Sequence, residues 1–195
     1  MPAAPKAALD WSSAKRPRSI IRPHTETDKR LDALIAAGGD KQRLEALKGK
    51  TAIANAKLAY RLFQQRFSGP RWDALAARGA QLQRPLWAST STKNPAYRDV
   101  MYVEALIGPH TVDTMPPTTI DAFRDHGIVA RAVDKEVAAA ERHIAELESV
   151  GIRLADVTEK LLVDGIASFQ KSFDALIVGL EEKTHKLGYE LLPSR

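Results

Sequence analysis

The stretch 84–99 constrains the fold of this chain most, because an apolar run in it leads directly into a cluster of polar groups. Residues 86–88 (Leu-Trp-Ala) predict a short β-strand. Four hydroxyl residues and Lys93 follow, and Asn94 before Pro95 predicts a helix start, since Asn caps helices and Pro favours their first turn. Hydroxyl donors, an ammonium group and free backbone N–H groups would then converge on one point, a combination suited to binding an anion.

The elements around this stretch follow the order of a parallel α/β sheet. Residues 82–88 and 111–114 read as strands, and helical patterns alternate with them. The helices predicted in this part are 71–78, 95–106 and 118–125. An alternation of helices and strands is typical of parallel sheets with crossover helices.

Before this segment, residues 19–21 (Ser-Ile-Ile) are the one apolar run that could form a short strand, and the patterns that follow it are helical. Thr25 or Thr27 is expected to cap a helix that ends near Ala37. A long helix is predicted over 42–67, with a break near Gly49. The first 22 residues carry a net charge of +4, whereas the rest of the chain carries only +1. Their Ala-, Pro-, Ser- and Arg-rich composition predicts a basic, disordered arm.

Two further helices are predicted after the sheet segment, over 134–150 and 156–187, each with an apolar stripe at helical spacing. They are expected to form an antiparallel pair across a turn at Gly151. Trp72 and Trp87 are expected in the core.

Composition limits the remaining possibilities. The chain has 195 residues, of which 44% are apolar, and this is sufficient for a packed core. A complete (β/α)8 barrel takes about 250 residues. Cysteine is absent, which excludes disulfides and thiolate sites, and no run of 18 apolar residues predicts a membrane span. The histidines lack metal-ligand spacing, so no metal is expected. We also expect no cofactor.

Several blocks of the sequence closely resemble the longer bacterial transaldolases, from about Thr25 to the carboxyl terminus. The blocks are PLWASTSTKNP (85–95), YVEALIGP (102–109), TVDTMP (111–116), TIDAFRDHG (119–127), DKRLD (28–32) and LKGKTAIANAKLAY (47–60). The resemblance implies an α/β fold that is a partial (β/α)8 barrel of the TIM type. Only the late strands would be present, in a helix-rich chain that ends in the helical pair. The implied division is an arm over 1–22 and a barrel portion over 23–195.

The resemblance implies a transferase of the pentose phosphate pathway, which moves a dihydroxyacetone unit between sugar phosphates through a Schiff base. The implied substrates of a complete barrel are fructose 6-phosphate, sedoheptulose 7-phosphate, erythrose 4-phosphate and glyceraldehyde 3-phosphate. In the family, the Schiff-base lysine and its carboxylates lie on early strands that are not found in this sequence. We therefore expect a truncated, cytoplasmic polypeptide with no catalytic residue of its own. It should be inactive alone, and it should self-associate or pair with an N-terminal half-barrel.

For the site, the resemblance assigns Lys93 to a substrate phosphate, with Ser89 and Ser91 as hydroxyl donors in the same pocket. Arg22 falls where the family has a second phosphate contact on a neighbouring strand. The alternative interpretation is that these hydroxyl groups only cap the helix predicted at Asn94.

Asp113 and Lys57 are the other two residues with a possible role in the site. Asp113 stands where the family often has Asn, which places an anion near the predicted phosphate site. Lys57 lies in an apolar helical segment and is predicted to be a surface or snorkelling side chain rather than a Schiff-base lysine. The alternative function is a non-catalytic helical α/β module that binds a phosphorylated ligand or a protein partner. The nearly neutral charge beyond residue 22 argues against nucleic acid.

Overall fold

The computed structural model describes residues 22–92 and 94–188, with side chains from Thr25 onward. The described residues divide into two compact units, one that ends at Val157 and one that begins at Thr158. The predicted arm lies outside the described residues, apart from the backbone of Arg22. The elements are α1 (Arg22–Ala36), α2 (Lys41–Glu45), α3 (Thr51–Arg66), α4 (Pro70–Ala76), β1 (Leu86–Ala88), α5 (Met101–Ala105), β2 (Val112–Thr114), α6 (Pro117–His126), α7 (Val137–Ser149) and α8 (Leu154–Lys186).

The two predicted strands form a parallel pair, in which Trp87 of β1 lies in register with Asp113 of β2. The α5 helix lies in the connection between them, as a parallel pair requires a crossover. β1 begins at Leu86 rather than at residue 82. Pro85 has no N–H to donate to a ladder, although its carbonyl still accepts a hydrogen bond from Val112 N at 2.9 Å. The helix-rich α/β class with a small parallel sheet is confirmed.

The amino-terminal helices differ from the prediction in one boundary. α1 begins at Arg22, so neither Thr25 nor Thr27 is its N-cap. Pro23 lies in the first turn, where its missing N–H costs no hydrogen bond and its fixed φ suits a helix. The predicted break near Gly49 is confirmed, because Gly49 has φ of 74° and separates α2 from α3.

The core of the first unit surrounds Trp87, which is fully buried as predicted. Trp87 Nε1 donates a hydrogen bond to Leu106 O at 3.1 Å, so the indole is satisfied without water. Tyr60 OH donates to Pro109 O at 3.0 Å and joins α3 to the segment before β2. The buried cluster consists of Ala52, Ala56, Tyr60, Trp87, Tyr102, Leu106 and Val133. The other tryptophan, Trp72, is only half-buried and packs edge-on against Phe67.

The α7 helix contacts α3 through polar as well as apolar groups. The buried Thr51 hydroxyl lies 3.0 Å from His143 Nε2, and Arg61 donates to Glu141 at 2.6 Å. Burial lowers the pKa of His143 below its usual value, because the protonated ring loses solvation there.

The surface assignment of Lys57 is wrong. This lysine on α3 is buried, and its Nζ donates to Lys135 O at 2.9 Å. The carbonyl comes from a segment 78 residues further along the chain. A buried ammonium group needs a hydrogen-bond acceptor, and this contact supplies one.

α8 is the longest helix among the described residues, at 33 residues. Its predicted apolar stripe is present, and much of it is exposed: Phe169 is 78% exposed and Ile166 is 61% exposed. Within the described part of the chain, no helix has both the length and the apolar character needed to cross a bilayer.

Candidate functional site

The four hydroxyl residues 89–92 begin where β1 ends, and the backbone turns sharply at the first of them. Ser89 has φ of 61°, a left-handed conformation that is uncommon for residues other than glycine. Its side chain is exposed, while Ser91 and Thr92 are half-buried. The strand therefore turns at Ser89, and two of the predicted hydroxyl donors lie in one short loop at the carboxyl end of the sheet. Groups that follow parallel strands at this end are positioned for ligand binding in barrel folds.

The hydroxyl group with the clearest role is that of Thr90, which no sequence pattern distinguished from its neighbours. Thr90 is fully buried, and its Oγ1 donates to Asp113 Oδ1 at 2.8 Å. Burial is the main influence on Asp113 and raises the pKa of its carboxyl group, while the Thr90 hydrogen bond acts in the opposite direction. Thr90 therefore faces β2 and helps to accommodate the unusual carboxylate, whereas Ser89 and Ser91 stay nearer to solvent.

The helix predicted to begin at Asn94 and Pro95 is not present. Asn94 Oδ1 accepts a hydrogen bond from Ala96 N at 3.0 Å, and Asn94 O accepts one from Tyr97 N at 3.1 Å. These contacts form a local turn, which competes with helix formation after an Asn. α5 begins only at Met101. The capping alternative and the helix-terminus argument for anion binding both lose their basis.

The turn is instead fixed by Asp28 of α1. Tyr97 OH donates to Asp28 Oδ2 at 2.8 Å, and Gly49 N donates to Asp28 Oδ1 at 3.1 Å. The Tyr97 ring lies against Gly49, so closely that a Cβ on this glycine would come 2.9 Å from Tyr97 Cζ. Burial and then the hydrogen bond to Asp28 raise the pKa of Tyr97 to about 12. One carboxylate thus joins α1, the α2–α3 turn and the loop after β1.

The same loop is attached to α6 by exposed ion pairs. Arg98 donates to Glu104 and to the carbonyl of His126, and His126 Nε2 lies 2.8 Å from Asp99. Hydrogen bonds to Asp99 and then Asp125 raise the pKa of His126 above its usual value. Exposed pairs of this kind contribute little each, so they orient the loop more than they stabilise it.

The four predicted site residues have different outcomes. Ser89 and Ser91 lie together at the end of β1, but their role in binding stays a prediction. Lys93 lies outside the described residues. Arg22 starts α1 and does not lie on a strand beside β1, so its predicted approach from a neighbouring strand is wrong, and its side chain is not among those described.

Comparisons with known proteins identify relatives over most of the chain. The family model described as Transaldolase/Fructose-6-phosphate aldolase matches residues 28–179. The relatives include a protein named Transaldolase from Trichodesmium erythraeum (strain IMS101), 52% identical over 149 residues, which are 75% of this chain and 39% of the relative. Transaldolase 2 from Nostoc sp. (strain PCC 7120 / SAG 25.82 / UTEX 2576) is 48% identical over 86% of this chain and 46% of its own length. A Transaldolase from Parafrankia sp. (strain EAN1pec) is 46% identical over 82% and 43%, respectively. The chain thus spans less than half the length of these curated relatives.

Proposed function

Because this chain belongs to the Transaldolase/Fructose-6-phosphate aldolase family, we propose that it supplies the phosphate-binding end of a transaldolase barrel. The observation that carries this proposal is the loop at the carboxyl end of β1, where Ser89 and Ser91 lie in the segment that the family match includes. Lys93 would add the positive charge that a sugar phosphate needs. The chain would act on the sugar phosphates of the pentose phosphate pathway only as part of a complete barrel.

We infer that this chain is not active by itself. Schiff-base chemistry needs an unprotonated lysine amine in a site from which water is excluded. The two described strands, Leu-Trp-Ala and Val-Asp-Thr, contain no lysine. Lys57 is buried, but it lies on a helix and its amine already donates to Lys135 O. The missing nucleophile would come from an N-terminal half-barrel.

Phosphate binding is tested first, on the full chain. Titration with fructose 6-phosphate and with inorganic phosphate is followed by NMR. Wild type should bind both, and K93Q should weaken binding about tenfold, since it removes a charge-assisted contact. The double variant S89A/S91A should also weaken binding. The control is S168A on α8, an exposed serine outside the loop, which should bind like wild type. Equal binding by all four proteins would refute the assignment.

Catalysis is tested by trapping with borohydride in the presence of fructose 6-phosphate. We expect no covalent adduct on the chain alone. With the amino-terminal part of the Trichodesmium relative added, we expect an adduct on a lysine of that added part. A dihydroxyacetone adduct on a lysine of this chain alone would overturn the inference.

A further inference from the structure

Six apolar residues of α8 recur at alternating intervals of four and three residues. They are Leu162, Ile166, Phe169, Phe173, Leu176 and Leu180, and we call them the α8 seam. The last five are between 50% and 78% exposed. The alternating intervals of four and three residues repeat every seven residues, as in helices that pack lengthwise against another helix, since this repeat keeps one apolar line facing the partner. A continuous exposed line of large apolar side chains indicates an interaction surface.

The α8 seam is symmetric about Lys171. An antiparallel second copy of α8, centred on the same residue, would place an apolar side chain opposite every member of the seam. The pairs, with the second residue in the other copy, are Phe169–Phe173, Ile166–Leu176 and Leu162–Leu180. Each pair occurs twice because of the twofold symmetry, which is the arrangement of an isologous dimer.

Charge complementarity extends this match to both ends of the seam. The next seam positions outward are Glu159 and Lys183, and both are exposed. In the antiparallel arrangement, each Glu159 faces Lys183 of the other copy. A parallel arrangement would place like charges opposite each other. The same register that pairs the apolar residues therefore pairs the charges, and it favours a second copy over an unrelated helix.

The two sides of the seam also fit this arrangement. Gly165 and Gly179 lie on one side, with Ser172 between them, and a Cβ added at either glycine would meet nothing within 4 Å. Small residues there let two helices approach closely. On the other side, Val163 and Ile177 are exposed apolar residues that would meet across the pair.

We propose that α8 is a dimerisation helix, along which two copies of this chain pair in antiparallel orientation through the α8 seam. This pairing does not depend on the phosphate site and would exist without any sugar phosphate.

The test measures the mass of the full chain by sedimentation equilibrium over a wide concentration range. We expect wild type to approach twice the 21.4 kDa of one chain. F173E places carboxylates against Phe169 of the other copy and should weaken the dimer at least about a hundredfold. V178E is the matched control, because Val178 is 52% exposed and lies on the opposite side of α8. This control should remain dimeric.

Charge exchange at the ends of the seam tests the orientation and leaves every apolar residue in place. E159K and K183E should each weaken the dimer about tenfold, because each turns two attractive pairs into repulsive ones. The double variant E159K/K183E restores both pairs and should dimerise like wild type.

Four results would overturn the proposal. These are a monomer at all concentrations, equal effects of F173E and V178E, and a double variant that stays as weak as the single ones. The fourth is a monomeric chain that instead binds an N-terminal half-barrel in a manner sensitive to F173E.

Discussion

Replacing Tyr97 with Phe tests whether Asp28 anchors the loop that carries the candidate phosphate site. The substitution keeps the ring against Gly49 and removes only the hydroxyl group, which donates to Asp28 Oδ2 at 2.8 Å. Asp28 would keep its second hydrogen bond, from Gly49 N. A hydrogen bond to a charged acceptor contributes about 1.5–3 kcal/mol. Because Tyr97 is half-buried, we expect Y97F to lower the free energy of unfolding by about 2 kcal/mol.

The assay is urea unfolding at neutral pH, combined with amide hydrogen exchange of residues 96–99. Y60F is the matched control, since Tyr60 OH donates to the uncharged carbonyl of Pro109 at 3.0 Å, beyond the other end of the sheet. It should cost only about 1 kcal/mol and should leave exchange in the loop unchanged. Y97F should increase exchange in the loop. A loss below about 0.5 kcal/mol with unchanged loop exchange would refute the anchoring role.

The pH dependence of stability gives a second test of the contact between Tyr97 and Asp28. The pKa of Tyr97 is raised to about 12 in the folded chain, against an ordinary value of 10.0. Between these values the unfolded chain has lost the phenol proton and the folded chain has kept it. Stability from this group is therefore complete below pH 10 and is lost as the pH rises towards 12. Y97F should make the decline of stability over this range shallower. Burial also raises the pKa of Tyr60, so Y60F should act on the decline in the same direction, and the increase in loop exchange distinguishes Y97F from it.

Two further predictions concern other buried contacts. T90V should lower the free energy of unfolding by about 1–3 kcal/mol in urea, because it leaves the half-buried Asp113 carboxylate without its hydroxyl donor. T92V, in the same loop, is its control and should cost less. For His143, the folded pKa lies below the ordinary 6.5, so the unfolded chain binds a proton first as the pH falls. Stability should thus decrease below about pH 6.5, and H143Q should flatten this decrease in unfolding curves measured from pH 7.5 to pH 5. An unchanged slope in H143Q would contradict the assignment.

The strands and most helices were predictable because their signals are local. Residues 86–88 and 112–114 form short apolar or β-branched runs, and Gly49 marked the break between α2 and α3. The helix expected after Pro95 failed for a reason that is also local. Asn94 uses its side chain and carbonyl to close a turn, and the sequence pattern does not distinguish this from a helix cap.

The site itself was predictable only in outline. Four hydroxyl residues in a row look alike in sequence, and the register between β1 and β2 decides that Thr90 meets Asp113. The burial of Lys57 depends on a carbonyl 78 residues away. The role of Asp28 depends on Tyr97, which is 69 residues away in the chain. Such contacts follow from tertiary packing, and no periodicity in one sequence reveals them.

The small sheet also explains why the proposed activity should require another polypeptide. Parallel strands are normally buried on both faces and belong to larger sheets, and two strands are not stable as a unit on their own. Here Trp87 and the helices that pack around it supply the stability of the β1–β2 pair.

The described strands pair only with each other, so each has a free edge within the described part of the chain. Free edges of this kind accept further strands. Strands added there would place a lysine-bearing strand in the same sheet as Ser89 and Ser91. The loop held by Asp28 would then meet a nucleophile that the two described strands of this chain do not supply.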